Sequence, residues 1–158
     1  MEPEERLSLL RRLSRQFMEF VPHNRALDVQ VVRLDAGEAV MSIPYADKLI
    51  GNPVTGVVHG GVVTSLMDAC CGAAVFMKLE EPLRIATLDL RIDYLKPAKP
   101  GADIVARATC YKITRNVAFV RCMASNDDPD DAIASAAGTF MLIRPPSQKD
   151  PSQEAADQ

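Results

Sequence analysis

Nowhere in this chain do five or more lysines and arginines run together, and its net charge is −3 at pH 7. Binding a phosphate backbone takes concentrated positive charge, so the sequence argues against nucleic acid as the main partner. Long uncharged runs are also missing: none reaches the roughly 20 residues that span a bilayer. The longest apolar segment, Val57 to Met77, contains His59, Thr64, Ser65 and Asp68, and a carboxylate at mid-bilayer is costly. The opening residues MEPEERLSLLRRL begin acidic and hold no apolar stretch of the secretory kind, so a cytoplasmic protein without a membrane span is expected. Histidine is scarce, with only His23 and His59. The four cysteines are Cys70, Cys71, Cys110 and Cys122, and the adjacent pair makes no CxxC motif. Together these argue against a Cys/His metal site. The cysteines read as small buried residues with free thiols. A nucleophilic cysteine would need a base beside it, and the sequence names none. No internal repeat is present.

What is there suits one domain. The chain has 158 residues, 47% of them hydrophobic and 25% charged, enough apolar material for a core. Residues Pro3 to Phe20 predict an amphipathic helix, with Leu7, Leu10, Leu13 and Phe17 at spacings of three and four. Pro22 stops it. A strand is expected over about Ala26 to Leu34, a turn at Asp35-Ala36-Gly37, and a second strand over Glu38 to Pro44. Asp47 to Val58 reads as a loop. His59-Gly60-Gly61 then opens a helix to about Leu79 that is apolar nearly all round, as a wholly buried helix is. Four strands follow: Arg84–Tyr94, Ala102–Lys112, Val117–Ser125 and Ala132–Ile143. Strict alternation puts Leu88, Leu90, Ile92 and Tyr94 on one face of the first of these and Thr87 on the other. The organisation expected is an N-terminal helix and linker (1–22), a domain (23–144) and a disordered tail (145–158).

Short turns between consecutive strands favour an antiparallel sheet. One buried helix against six strands is a two-layer α+β domain. A helix covers one side only, so the other sheet face, or its edge, is expected to meet a second copy.

The segment Gly51 to Asp68 carries the chemistry. A helix start leaves backbone N–H groups without partners and carries partial positive charge. Glycine there lets a ligand atom come close. Gly60 and Gly61 are therefore candidate oxyanion donors. Asp68 is the only charged residue between His59 and Lys78. A carboxylate in such a helix is hydrogen-bonded to backbone, bridges a dimer contact, or is functional. Gly60 and Asp68 are eight residues apart, roughly 12 Å along a helix axis. One chain cannot easily bring both to a single carbonyl. Two antiparallel copies of the helix can, which predicts a composite site at a dimer interface.

His59-Gly60-Gly61 with Asp68 nine residues after the histidine resembles the hotdog-fold thioesterases of the phenylacetate-degradation (PaaI-like) branch. Thr87-Leu88-Asp89-Leu90-Arg91-Ile92-Asp93-Tyr94-Leu95-Lys96-Pro97-Ala98 resembles that family's third strand and its Y-x-x-P-A ending. The likeness covers about Leu27 to Ile143. It implies a six-stranded antiparallel sheet wrapped on one helix, hydrolysis of acyl-CoA, no metal or redox cofactor, and a dimer or dimer of dimers. By position, Asp68 matches the carboxylate that activates water or attacks the thioester, Gly60 the N–H that polarises the carbonyl, and His59 the motif histidine. Asn52 resembles the loop asparagine, although it stands seven residues before His59 where the family commonly has six. Thr87 falls where a Ser or Thr often orients the water. Gly61, Arg91, Lys96 and Arg115 are candidates for meeting coenzyme A, with a solvated surface the plainer reading of the basic ones. His23 reads as incidental, and Asp89 and Asp93 as strand-surface charges. The alternatives are a hotdog dehydratase or hydratase, which needs a histidine paired with a carboxylate, and a non-catalytic acyl-CoA binder.

Overall fold

The computed structural model describes residues 2–144, so the tail expected to be disordered lies outside the described residues. Helix α1 (Pro3–Phe20) and a short helix α2 (Pro22–Ala26) precede the hairpin β1 (Gln30–Asp35) and β2 (Glu38–Ile43). α2 delays the first strand by four residues relative to expectation. Gly37 closes the hairpin at φ 74, a conformation natural to glycine. The expected loop contains a 3-10 turn (Asp47–Leu49) and a small hairpin of β3 (Ile50–Asn52) and β4 (Val57–Val58). Helix α3 (Gly60–Lys78) follows, then β5 (Arg84–Tyr94), β6 (Ile104–Ile113), β7 (Val117–Ser125) and β8 (Ala132–Ile143).

The main sheet has six strands in the order β1-β2-β6-β7-β8-β5. Every neighbouring pair is antiparallel. α3 packs against β2, β6 and β7 above all. The sheet meets it with small side chains: Ala106 and Ala108 on β6, Ala118 and Ala124 on β7, Ala134 and Ala136 on β8, all buried. α3 answers with Cys70, Cys71, Ala73 and Ala74, also buried. Small side chains on both surfaces let the backbones approach closely while the interior stays dense. The Cys70 thiol even donates to the Ala39 and Ala106 carbonyls, at 3.3 and 3.5 Å.

Two corrections concern faces. Leu88 is an extra residue: Thr87 pairs with Phe140 and Asp89 with Thr139, so β5 is bulged between them. The bulge resets the alternation. Leu88 turns outward, half-exposed, and Thr87 turns inward toward α3, on the same side as Leu90. The second correction is to α3, which is not covered all round. Thr64, Ser65, Asp68, Ala69, Gly72 and Phe76 are only partly covered, and these residues face a cavity.

α1 lies across α3 and β1. Its buried stripe is Leu10, Ser14 and Met18, spaced by four. Arg11 clamps it to the sheet, donating from Nε to the Leu34 carbonyl at 2.9 Å and pairing with Asp35 at 3.2 Å.

All four cysteines are unpaired and buried. Contact with Cys122 and burial push the Cys71 thiol up, and burial does the same to Cys70. Because all four thiols are buried, the native protein should resist a thiol-specific chromogenic reagent and release four equivalents of colour only in denaturant. Fast stoichiometric labelling of native protein would contradict this packing.

Candidate functional site

α3 begins where β4 ends, and its first turn is built with care. His59 is the N-cap: its Nδ1 accepts from the Gly61 N–H at 2.9 Å. Accepting there places the neutral ring's proton on Nε2. A Cβ at Gly61 would stand 3.0 Å from His59 Nδ1, so glycine makes room for the cap. The β3–β4 hairpin sets the height of His59. His59 donates its N–H to the Leu49 carbonyl at 2.8 Å, and a Cβ at Gly51 would stand 2.7 Å from His59 Cα. The Gly60 carbonyl accepts from the Tyr94 hydroxyl at 2.9 Å and lies 3.2 Å from the Thr64 hydroxyl. The two hydroxyls are 2.6 Å apart and carry one proton each, so while Tyr94 donates to the Gly60 carbonyl, Thr64 donates either to that carbonyl or to the Tyr94 oxygen. The Gly60 N–H, by contrast, makes no hydrogen bond among the described residues. It is an unengaged donor at the positive end of a 19-residue helix.

Two turns further along, Asp68 faces the cavity. Thr87, brought inward by the bulge, donates its hydroxyl to Asp68 Oδ1 at 3.0 Å. Asp68 enters no ion pair among the described residues. The cavity holds about 1040 Å³ and runs between α1, α3 and β5. Thr64, Ser65, Asp68 and Thr87 give it a polar section and Leu13, Phe17, Phe76, Leu83, Ile85 and Phe140 an apolar one, with Ser14, His23, Asn24 and Arg84 also lining it. Ser14, on the α1 wall, buries its hydroxyl without a partner.

The residues singled out in the sequence fall into three groups. Asp68 and Thr87 are in direct contact. Gly60, Gly61 and His59 form the helix start. Asn52, Arg91, Lys96 and Arg115 stand apart from the cavity. The Asn52 side chain accepts from the Val54 N–H at 3.0 Å, closing a local turn. Arg91 pairs with Asp93 at 3.1 Å on an exposed strand surface. Lys96 pairs with Asp131, and Arg115 sits exposed in the β6–β7 turn.

Sequence reasoning missed three contributors. Tyr94 was placed on its strand, but the reach of its hydroxyl to the helix start depends on the β5–α3 packing. His23 reaches Ser65 Oγ with Nε2 at 3.1 Å and lines the cavity. The α1 residues line it too, and their only signal was a Leu/Phe stripe wider than one contact requires. Among the described residues, no group of three His, Cys, Asp or Glu side chains could hold a metal ion.

A family model described as the thioesterase superfamily matches residues 55–133, which include the helix start, Asp68 and Thr87. The chain belongs to the thioesterase superfamily. Among its relatives is a medium/long-chain acyl-CoA thioesterase, YigI of Salmonella typhimurium, 30% identical over 146 residues that cover 84% of this chain and 93% of that protein. A putative esterase of Halobacterium salinarum is 34% identical over 126 residues, covering 75% and 82%. A crystal structure of a Pseudomonas aeruginosa protein is 41% identical, with a TM-score of 0.77 over 85% of this chain and 99% of that one. The Escherichia coli PaaI protein from the phenylacetic acid degradation operon shares the fold, at 20% identity and a TM-score of 0.76 over 85% and 94%.

Two substitutions probe this thioesterase-superfamily site. Thr87→Val removes, at nearly constant volume, the hydroxyl that donates to Asp68. It should lower kcat on a thioester roughly tenfold with KM little changed, and Thr87→Ser should restore most of the loss. Full activity in Thr87→Val would separate the hydroxyl from the chemistry. Gly51→Ala drives a methyl into the His59 backbone. It should lower stability by about 1–3 kcal/mol in urea unfolding, and a wild-type midpoint would show that the hairpin yields freely.

Proposed function

We propose that this protein is an acyl-CoA thioesterase that hydrolyses its substrate to the free acid and CoA, with Asp68 as the catalytic carboxylate. The observation that carries this is Asp68 itself: a carboxylate facing a largely apolar cavity, in no ion pair among the described residues and oriented by Thr87. Asp68 acts on the thioester carbon, directly or through a water that it deprotonates. On the water route the hydroxide bonds to the carbon, the C–S bond breaks, and the CoA thiolate takes the proton that Asp68 drew from the water. On the direct route the C–S bond breaks to give a mixed anhydride on Asp68. A water then hydrolyses it to the free acid, restoring Asp68 and supplying the thiol proton. Either route puts negative charge on the carbonyl oxygen. The unengaged Gly60 N–H, backed by the helix dipole, suits that charge. A Cβ at Gly60 would make only ordinary contact with the Tyr94 ring, at 3.5 Å. The fold tolerates a side chain there, whereas a close-lying carbonyl would not. No metal or redox cofactor enters the scheme. YigI, 30% identical in Salmonella typhimurium and 29% in Escherichia coli, is by name a medium/long-chain acyl-CoA thioesterase, and that supports the acyl-CoA substrate.

We further infer that the site is shared between subunits. Asp68 lies roughly 12 Å along α3 from Gly60 in the same chain. β5 is an edge of the sheet and eleven residues long, with Leu88 half-exposed. A long unprotected edge of this kind pairs readily. Antiparallel pairing of two β5 strands would set two α3 helices side by side, the Gly60 end of one toward Asp68 of the other. Four free thiols fit a reducing compartment, so we place the reaction in the cytoplasm.

His23 favours a second reading. It lines the same cavity as Asp68, and a hydratase would pair a histidine with that carboxylate. Hydration of crotonyl-CoA faster than hydrolysis of saturated acyl-CoA would select that reading.

Asp68→Ala should cut CoA release at least about 100-fold while the protein stays folded. Gly60→Pro should do similar damage, because proline has no N–H yet is accepted at the first position of a helix. Co-refolding the two inactive variants restores about a quarter of the activity if each site takes Gly60 from one subunit and Asp68 from the other of a symmetric pair. No recovery, despite mixed oligomers, would confine the site to one chain.

A further inference from the structure

The cavity that reaches Asp68 continues along α3. Gly72 lies one turn beyond Asp68 and Phe76 two turns beyond, and both line the cavity. Past Asp68 the walls are mainly apolar: Leu13 and Phe17 on α1, Leu83 just before β5, Ile85 within it and Phe140 on β8, with the exposed Arg84 the charged exception.

Gly72 is the informative residue. A glycine in the middle of a helix is destabilising relative to alanine, and nothing in the packing of this chain requires one. Its backbone is outside the positive-φ positions. A Cβ there would lie 3.7 Å from Phe140 and 3.8 Å from Ile85, ordinary contact distances. Both neighbours are cavity wall, so what the missing side chain preserves is the width of the cavity.

α1 closes the opposite side. Phe17 lines the cavity but is 64% exposed, a large aromatic surface that an apolar occupant would cover. The helix is held at its middle, where Arg11 donates to the Leu34 carbonyl, and near its C-terminal end, where Asn24 Nδ2 donates to the Met18 carbonyl at 3.4 Å.

We propose that this cavity takes the acyl chain of the substrate, that the chain is linear, saturated and of medium length, and that Gly72 and the α1 wall determine how much of it fits. The proposal rests on the thioesterase reading. From Asp68 to Phe76 is eight residues, roughly 12 Å of helix. An extended alkyl chain of roughly ten carbons, with C–C bonds near 1.5 Å, covers that distance. Gly72 stands halfway, so a butanoyl chain ends before it and an octanoyl chain passes it. A ring held close to the thioester would leave the section toward Phe76 empty.

The test compares kcat/KM for butanoyl-, octanoyl-, dodecanoyl- and phenylacetyl-CoA in wild type, Gly72→Ala, Gly72→Leu and Phe17→Ala. Wild type should favour octanoyl- over butanoyl-CoA by about tenfold or more. The octanoyl-to-butanoyl ratio should fall at least about threefold in Gly72→Ala and further in Gly72→Leu. Phe17→Ala should raise KM for dodecanoyl-CoA more than for butanoyl-CoA. Gly72→Ala should melt at or above the wild-type temperature, which separates a narrowed cavity from a damaged fold. An unchanged ratio in folded Gly72→Ala and Gly72→Leu, or a wild-type preference for phenylacetyl-CoA over octanoyl-CoA, overturns the proposal. Should wild type release no CoA from any of these, the thioesterase reading fails instead. Calorimetric binding of octanoyl-CoA, weakened in Gly72→Leu or not, then decides the cavity's role by itself.

Discussion

α3 has to be kept from water along most of its length, and the rest of the chain is arranged around that requirement. Leu66, Met67, Cys70, Cys71 and Val75 have no more than trace exposure, and burying one large apolar side chain is worth about 1.5–3 kcal/mol. The sheet encloses the helix from β2 to β8, with alanines where the approach is closest. Small side chains have a consequence beyond fit: they contribute little area each, so the core depends on close, extended contact more than on a few large anchors. That leaves little slack for the helix to shift, and a helix that cannot shift is a good base for a carboxylate. α1 completes the cover from the far side, but incompletely. Its buried stripe holds it down, and its Leu13 and Phe17 edge leaves the seam that carries Asp68 open as a cavity.

The same helix brings an electrostatic asymmetry. Its N-terminus presents donors and its interior presents Asp68, two turns apart. His59 takes one donor, Gly61 N–H, and leaves Gly60 N–H unengaged. Tyr94 fixes the other side of the same peptide region by donating to the Gly60 carbonyl. A hydrogen bond to the carbonyl of a residue restrains its orientation without engaging its N–H, which keeps an oxyanion donor organised before substrate arrives. Tyr94 belongs to β5, the strand whose bulge also delivers Thr87 to Asp68. One strand thus orients both the donor end and the acid end of the proposed site, and that strand is the edge where a second subunit would add.

Much of this was legible in the sequence because it rests on local or periodic signals. The buried helix, its glycine start, the order of six strands and the isolated charge at Asp68 follow from hydrophobic period and composition. What was not legible depends on register. Alternation assigned Thr87 to the outer face and Leu88 to the inner one. A single extra residue reverses both, and no Gly or Pro marks the bulge. The expectation of a helix covered all round failed for a related reason. Gly72, Ala69 and Phe76 count as apolar whether they face a core or a cavity, so composition cannot tell a filled interior from an empty one. Asn52 was carried by resemblance, and the basic candidates by their charge alone. In this chain Asn52 closes its own turn, and the basic side chains of Arg91 and Lys96 pair with neighbouring carboxylates.

Gly72 ties stability to specificity. A glycine inside a helix costs about 0.5–1 kcal/mol relative to alanine, a noticeable fraction of a domain's net 5–15 kcal/mol. The surrounding packing would accept a methyl, so stability by itself favours alanine at this position. The glycine makes sense where the space beside it is used, and the space beside it begins one helical turn from Asp68. A carboxylate on a rigid helix fixes where a thioester carbon must lie. From that point the rest of the acyl group has an apolar course along α3, under the α1 wall. The helix that sets the position of the chemistry therefore also sets the measure of the chain, because both are counted in turns from the same residue.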